Sequence, residues 1–209
     1  MDNNFDRVLA RYTARMQEER RILTEQPHRI GELRDQLLLA VGEDAARVLH
    51  ALVIARGAKR ILELGTSYGY STLFFADAAR RTGGSVITMD VAAEKQAYAR
   101  RELADAGLDS YVEFKCGDAL DLIERTEGPF DFVLLDIWKD LYIPCFERFL
   151  PKLADNGIIA ADNMIEPAFA RADAERYRAA VRTHPELQTV LLPIGQGIEL
   201  SCLWRKGLG

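Results

Sequence analysis

Three oxygen-bearing side chains end two apolar runs in the second half of the chain. Asp136 ends the run FDFVLLD, and Asp162 and Asn163 end the run GIIAADN. If the two runs are neighbouring parallel strands, these side chains meet at one edge of the sheet, where such folds bind ligands. Carboxylate and amide oxygens without a nearby His or Cys suit a hard cation such as Mg²⁺. The alternative is that both aspartates cap the helices that follow them.

Lys139 stands about one helical turn beyond Asp136. That spacing allows the Lys139 amine to face the same cleft as the predicted cation. A single Lys after a strand is otherwise exposed to solvent in most proteins. A role for Lys139 therefore depends on the metal site.

A glycine-containing turn follows the first apolar run, in the stretch ILELGTSYGYS. Glu63 interrupts the run, and Gly65 and Gly69 flank a turn that opens a helix near Ser71. Glycines let the backbone turn sharply and approach a ligand closely, and free N–H groups at a helix start attract anions. The GxxxG spacing lacks the third glycine of a dinucleotide-binding fingerprint, which disfavours a dehydrogenase.

Two further strand ends carry residues that suit a nucleoside. Asp90 ends the run SVITMD, at a sequence distance from Gly65 that suits contact with the two hydroxyls of a ribose. The tripeptide GDA, residues 117–119, follows the third run. A tight strand-to-helix connection explains such a turn by itself, but the turn together with two acidic strand ends favours a cofactor that contains a nucleoside.

The elements that must position these residues alternate along the chain. Five apolar runs are each followed by a helix-length segment, namely RILEL, SVITMD, YVEFK, FDFVLLD and GIIAAD. This alternation predicts an α/β fold with a doubly wound, mostly parallel sheet. LQTVLLPI and IELSCLWR, separated only by residues 195–197, predict an antiparallel C-terminal hairpin and a seven-stranded sheet. Helical spacing predicts an N-terminal helical appendage, with helices over residues 3–24, 29–40 and 43–55.

Composition narrows the class of protein. A chain of 209 residues is long enough for one large core, so we predict a single domain over residues 1–209, with N-terminal helices over 1–57 and the α/β core over 58–209. A net charge of −5 disfavours a nucleic-acid partner, and no run approaches the roughly 18 apolar residues of a membrane span. Three cysteines without a CxxC pair suit a reducing compartment, and the cytoplasm is the expected location.

Taken together, the motifs resemble the cation-dependent class I S-adenosylmethionine methyltransferases of the catechol and caffeoyl-CoA O-methyltransferase type, over residues 35–205. ILELGTSYGYS is similar to the first cofactor motif of that family, GDA to its adenine turn, and LPIGQGIEL to its closing hairpin. DIWK resembles the DxWK of animal catechol O-methyltransferase, and DNMIEP resembles the second metal strand end. The resemblance implies a Rossmann-like fold, a homodimer, and transfer of a methyl group from S-adenosylmethionine to a small hydroxylated aromatic acceptor of the catechol kind.

The resemblance also implies a role for each matching residue. Asp136, Asp162 and Asn163 would bind the divalent cation, and Lys139 would be the general base. The residues implied for cofactor binding are Val41, Glu63, Gly65, Ser67, Gly69, Ser71, Asp90, Asp118, Ala119, Asp136 and Trp138. The residues implied at the mouth of the acceptor site are Leu37, Leu39 and Pro167. Ile137 replaces a His of the catechol enzyme, and the Glu that orients the second acceptor hydroxyl in that enzyme has no assigned counterpart.

Two other functions stay open at the level of the sequence. Arg7, Arg11 and Arg15 recur every fourth residue on the first predicted helix, which could be a phosphate-binding stripe of a methyltransferase acting on a transfer-RNA nucleoside hydroxyl. A solvated helix face explains the same spacing. A nucleotide-binding module without catalysis, or an NAD-linked oxidoreductase, would use the same glycine turn.

Overall fold

The sheet that was predicted from the apolar runs is present in the computed structural model, which describes residues 3–205 except the side chains of Asn3, Pro27, Ile30 and Arg34. Within this range seven strands form one sheet in the order β3-β2-β1-β4-β5-β7-β6. The strands are β1 Arg60–Leu64, β2 Ser85–Asp90, β3 Val112–Cys116, β4 Phe130–Leu135, β5 Leu153–Ala161, β6 Leu187–Leu192 and β7 Ile198–Leu203. Strands β1 to β5 pair in parallel, and β7 runs antiparallel to both β5 and β6, which confirms the predicted hairpin.

The register of the central strands brings three strand ends side by side. Leu64 pairs with Leu135, and Leu135 pairs with Ala161. The Asp136 N–H donates to the Leu64 carbonyl at 2.9 Å, and the Asp162 N–H donates to the Leu135 carbonyl at 3.1 Å. Gly65, Asp136 and Asp162 therefore follow one another along the same edge of the sheet.

Helices cover both faces of the sheet. They are α1 Asn3–Glu25, α2 Ile30–Leu33, α3 Glu43–Arg56, α4 Tyr70–Thr82, α5 Ala93–Ala106, α6 Ala119–Glu124, α7 Tyr142–Phe149 and α8 Arg171–Thr183. Alternate strand residues point to opposite faces, so Ile61 joins the core beneath α1, α3, α4 and α5, whereas Leu62 joins the core beneath α6, α7 and α8. Among the described helices, none combines the length and the apolar character that crossing a bilayer demands.

The predicted helix over residues 29–40 is wrong as a continuous element. It forms as a 3-10 turn at Pro27–Arg29, the short α2, and a second 3-10 turn at Arg34–Gln36. The Leu38 N–H donates to the side chain of Glu19 on α1, and Leu39 takes a positive φ of 48° that no α-helix allows. Tertiary contacts therefore end this helix before the apolar pattern does.

The three arginines of the predicted phosphate stripe are engaged within the protein. Arg11 forms ion pairs with Glu102 at 2.6 Å and with Asp105 at 2.8 Å, both on α5. Arg7 donates to the carbonyl of Asp105 at 3.1 Å, and Arg15 pairs with Glu19 at 2.8 Å. The contacts of these arginines join α1 to the rest of the fold. Arg7 and Arg11 are nevertheless exposed to solvent, so a solvated helix face accounts for their spacing, and the phosphate stripe stays a prediction.

Candidate active site

The glycine turn between β1 and α4 lies against the end of β4. Gly65 has a φ of 102°, and a Cβ built on it would overlap the carbonyl of Asp136. Gly69 has a φ of 87°, and a Cβ there would lie 2.6 Å from the Cβ of Ala99. Both positions need glycine because the backbone approaches its neighbours too closely for a side chain. The turn predicted as a cofactor-binding loop is thus packed beside the predicted metal strand end.

Glu63 is fully buried beneath this turn and accepts three hydrogen bonds. The hydroxyls of Ser71, Thr72 and Thr88 each donate to its carboxylate at 2.6 Å. Burial raises the pKa of Glu63 to about 7, although the three hydroxyl donors oppose that shift. Glu63 therefore orders the start of α4, with Ser71 in its first turn.

Asp90 ties the end of β2 to the glycine turn. Its carboxylate accepts from the Ser67 N–H at 2.7 Å and from the Ala92 N–H at 2.9 Å. The Ser67 hydroxyl in turn donates to the Leu38 carbonyl at 3.1 Å. Asp90 and Ser67, both predicted to bind the cofactor, are thereby brought together with the segment that contains Val41.

The two carboxylates at the predicted metal site lie in a desolvated environment. Desolvation raises the pKa of Asp136 to about 6, against the opposing charge of Lys139. Asp162 is 1% exposed, and burial followed by repulsion from Asp136 raises its pKa well above the ordinary value. Neither aspartate caps a helix, because the N-caps of the turns and helices that follow them are Trp138, Leu141, Pro167 and Ala170.

A chain of hydrogen bonds links Lys139 to the end of β5. The Lys139 amine donates to the hydroxyl of Tyr142 at 2.6 Å and to Oδ1 of Asn163 at 2.8 Å. Tyr142 donates onward to the carbonyl of Asp162 at 3.1 Å. Burial lowers the pKa of Lys139, whereas the charges of Asp136 and Asp162 act in the opposite sense. The amine thus lies within hydrogen-bond distance of the predicted metal ligand Asn163.

The side-chain oxygen atoms at the ends of β4 and β5 suit a hard cation. Oδ1 of Asp162 is buried without a hydrogen-bond partner among the described residues, a costly arrangement for a carboxylate oxygen. Asn163 has a positive φ of 57°, and its Nδ2 donates to Oε1 of Gln196 at 2.6 Å, so its Oδ1 is directed to the Lys139 side. Within residues 3–205 no group of three or more His, Cys, Asp or Glu is arranged to hold a metal ion.

The remaining predicted residues have more varied surroundings. Asp118 caps α6 by accepting from the N–H groups of Leu120 and Asp121, and Ala119 is the first residue of that helix. Val41 is buried, and its carbonyl lies against the β6–β7 turn. Trp138 and Leu39 are 56% and 51% exposed, whereas Leu37 is buried. Exposed apolar side chains therefore lie on two of the predicted segments, at Leu39 and at Trp138.

Sequence reasoning missed three residues that shape the site. Thr88 interrupts the apolar run SVITMD, so a polar residue inside a strand was an available signal. Tyr142 follows Lys139 by three positions, the spacing of neighbours on a helical turn. Gln196 lies in a hairpin turn where polar residues are usual, so nothing in the sequence marked it.

A seven-stranded sheet with an antiparallel β7, a glycine turn after β1 and acidic residues after β2 and β4 defines the class I methyltransferase fold. The chain belongs to the O-methyltransferase family, whose family model matches residues 15–204. This is a family of enzymes that take their methyl group from S-adenosylmethionine.

Named relatives agree with this assignment. A catechol O-methyltransferase of Niastella koreensis is 35% identical over 131 residues, covering 61% of this chain and 59% of that protein, less than two thirds of its length. Caffeoyl-CoA O-methyltransferase 2 of Populus trichocarpa is 29% identical, covering 78% of this chain and 74% of that protein. The O-methyltransferase from Bacillus cereus in complex with SAH has the same fold, with a TM-score of 0.77, 24% identity, and coverage of 97% and 91% of the two chains.

Proposed function

We propose that the protein transfers the methyl group of S-adenosylmethionine to one hydroxyl of a small vicinal dihydroxy aromatic acceptor, with a divalent cation held by Asp136, Asp162 and Asn163. The observation that carries the proposal is the unpartnered, buried Oδ1 of Asp162 beside the amide of Asn163. Mg²⁺ is the ion that best suits this oxygen donor set. When bound, S-adenosylmethionine supplies a methyl group on a cationic sulfur, and the cation lowers the pKa of a hydroxyl that it contacts.

Lys139 is the general base in this proposal. A phenol has a pKa near 10, so only about one molecule in a thousand is ionised at neutral pH. The amine must be neutral to accept the hydroxyl proton, and burial lowers the pKa of Lys139 in that direction. The hydroxyl of Tyr142 and the amide of Asn163 hold the amine at hydrogen-bond distance on the cleft side.

Other residues bind the cofactor and orient the acceptor in this proposal. The glycine turn and Asp90 receive the cofactor in the proposed arrangement, beneath Val41. Leu37, Leu39 and Pro167 line the mouth of the acceptor site in the proposed arrangement, and Trp138 contacts the cofactor. Holding the two reacting atoms about 3 Å apart accounts for roughly 7 to 11 kcal/mol of the barrier, more than general-base assistance gives.

The test is methyl transfer from S-adenosylmethionine to a panel of vicinal dihydroxy aromatics in the presence of Mg²⁺. We expect Lys139→Ala to lower turnover about 10²-fold, the lower end of general-base effects. Asp136→Ala and Asp162→Ala should lower it further, because both proton removal and acceptor placement depend on them. Full turnover in excess chelator, or in either aspartate variant, would contradict the metal site.

The cofactor choice has a separate test. A ligand at 100 times its dissociation constant adds about 2.7 kcal/mol to the free energy of unfolding. S-adenosylhomocysteine should stabilise the protein in this way and NAD should not. Binding without turnover on any hydroxylated acceptor would favour the non-catalytic module. The homodimer and the cytoplasmic location stay predictions, and sedimentation velocity measures the first of them.

A further inference from the structure

Residues 37–42, the entrance segment, have a backbone that needs external support. Leu39 has a φ of 48° and Gly42 a φ of 88°. A positive φ at a leucine costs about 1 kcal/mol or more, and it persists only where the surroundings hold it. The proposed function gives this segment Leu37 and Leu39 at the acceptor mouth and Val41 at the cofactor.

Helix α1 holds the entrance segment through one carboxylate. Oε1 and Oε2 of Glu19 accept from the Leu38 N–H at 3.2 and 3.0 Å. Arg15 fixes that carboxylate by donating from Nε at 2.8 Å, and its Nη2 donates to the Gln36 carbonyl at 2.6 Å. The Glu19 side chain is 18% exposed, so its charge-assisted hydrogen bonds are partly shielded from water.

The glycine turn holds the same peptide region from the other side. The Ser67 hydroxyl donates to the Leu38 carbonyl at 3.1 Å, so one residue is bonded through both its N–H and its C=O. The Arg15 guanidinium lies 4.0 Å from the centre of the Tyr68 ring, and the Tyr68 hydroxyl donates to the Asp35 carbonyl at 3.3 Å. Leu38 is thereby fixed between α1 and the cofactor turn.

We propose that Glu19 is a positioning residue for the methyl-donor site: through the Leu38 N–H it fixes the entrance segment over the cofactor. This inference rests on the proposed function for the role of Val41 and Leu39. Among the described contacts, Glu19 reaches the Leu38 backbone and Arg15 and no proposed ligand-binding side chain, so its effect on ligands is indirect. Removing its carboxylate frees the Leu38 N–H, leaves the Leu38 carbonyl bonded to Ser67, and lets Leu39 relax to a negative φ.

The experiment compares Glu19→Ala, Glu19→Gln and the control Glu18→Ala. Glu18 is the preceding residue of the same helix, and its exposed side chain pairs only with Arg21 in the described contacts. Amide hydrogen exchange over residues 37–42 and the dissociation constant of S-adenosylhomocysteine are measured in each full-length protein. Circular dichroism verifies that every variant is folded.

We expect Glu19→Ala to speed exchange of the Leu38 and Leu39 amides about tenfold and to weaken S-adenosylhomocysteine binding by a similar factor, the scale of one charge-assisted hydrogen bond. Glu19→Gln keeps an acceptor for the Leu38 N–H and should recover most of both quantities, and Glu18→Ala should match the unmodified protein. A merely structural role would lower the melting temperature of Glu19→Ala without this local change in exchange.

Three outcomes overturn the inference. They are equal exchange in Glu19→Ala and Glu18→Ala, faster exchange with unchanged S-adenosylhomocysteine affinity, and a Glu19→Gln variant as impaired as Glu19→Ala. A failure of the proposed function looks different, because the unmodified protein would then bind no S-adenosylhomocysteine while the exchange data still show whether Glu19 fixes residues 37–42.

Discussion

At the scale of single residues, the site concentrates carboxylates where water is excluded. Glu63, Asp136 and Asp162 all have pKa values raised by burial, and two of the three lie beside the only lysine that the proposal uses. A raised carboxyl pKa means that the folded protein holds a proton that the unfolded chain has released. Such groups destabilise the unliganded fold at neutral pH, which is a cost that functional sites often carry.

Glu63 provides a pH-dependent prediction. Its ordinary pKa is 4.5 and its folded pKa is about 7, so the free energy of unfolding should fall as pH rises through this window. Glu63→Gln cannot titrate and keeps a group of similar shape. Between pH 5 and pH 8 the unmodified protein should therefore lose about 2.5 kcal/mol relative to Glu63→Gln. Urea denaturation of both proteins at the two pH values measures this difference, and parallel stability curves would contradict it.

Mg²⁺ should stabilise the protein more at high pH than at low pH, which is opposite to the trend in stability predicted for Glu63. Asp136 and Asp162 bind a cation only when ionised, and the pKa of Asp136 is about 6. We expect Mg²⁺ to raise the melting temperature clearly at pH 8 and hardly at pH 5, because protons compete for the same oxygens. Scanning calorimetry with Mg²⁺ and with chelator at both pH values provides the measurement. Equal stabilisation at the two pH values would show that Mg²⁺ binds at a site other than Asp136 and Asp162.

At the scale of elements, the turn after β1 depends on one glycine. A Cβ at Gly65 would overlap the Asp136 carbonyl, so Gly65→Ala must push apart β1 and β4 at the site. We expect a loss of about 3 kcal/mol in the free energy of unfolding. Gly57→Ala is the matched control, since Gly57 has a similar positive φ of 65° but open space around it, and it should cost about 1 kcal/mol. Similar losses in the two variants would show that only backbone strain matters.

The β6–β7 turn orients a proposed metal ligand. The Gln196 carbonyl accepts from the N–H groups of Ile165 and Glu166, and its side chain accepts from Asn163. Gln196→Ala should leave the Asn163 amide unoriented and weaken Mn²⁺ binding about tenfold, as loss of an outer partner does at other metal sites. Gln188→Ala, an exposed change on β6, is the control. Isothermal titration calorimetry measures the affinities, and unchanged Mn²⁺ binding in Gln196→Ala would remove Gln196 from the site.

At the scale of the whole molecule, α1 is part of the core. Val8 and Tyr12 are buried in the same cluster as residues of α3, α4 and α5, and the Tyr12 hydroxyl donates to the Tyr68 carbonyl at 2.6 Å. Glu19 extends this contact to the entrance segment. The N-terminal helices therefore do more than cover one face, because they reach the loops that the proposal assigns to the cofactor.

Substitution of arginines on α1 tests whether they stabilise the fold or bind nucleic acid. Arg11→Ala removes ion pairs to Glu102 and Asp105 and should cost about 1 kcal/mol of stability. Arg21→Ala is the control, because the pairs of Arg21 lie on the exposed surface of α1 itself and should contribute little to stability. We expect both variants to retain bulk transfer RNA as weakly as the unmodified protein in filter binding. If Arg11→Ala bound less RNA than the unmodified protein at unchanged stability, that result would support the phosphate-binding stripe.

The order of elements and the clustering of the candidate residues at one sheet edge could be predicted from the sequence, because both depend on local patterns. Apolar runs of strand length predicted the positions of β1 to β5 and the closing hairpin, and polar residues at their ends marked Gly65, Asp90, Asp136 and Asp162. The first and third predicted helices have the expected bounds within a residue. The carboxyl ends of parallel strands meet at one edge of a sheet, so a candidate site could be predicted there before any side-chain contact was known.

The tertiary structure decided what depends on partners distant in the chain. The apolar pattern over residues 29–40 predicted a helix, but the Glu19 carboxylate takes the Leu38 N–H and ends it. Gln196 contacts Asn163 from 33 residues away, and no local pattern encodes that distance. The desolvation that raises the pKa values of Asp136 and Asp162 likewise arises only when the strands and the covering helices exclude water together. Local patterns therefore marked the candidate groups, and packing set their pKa values and orientation.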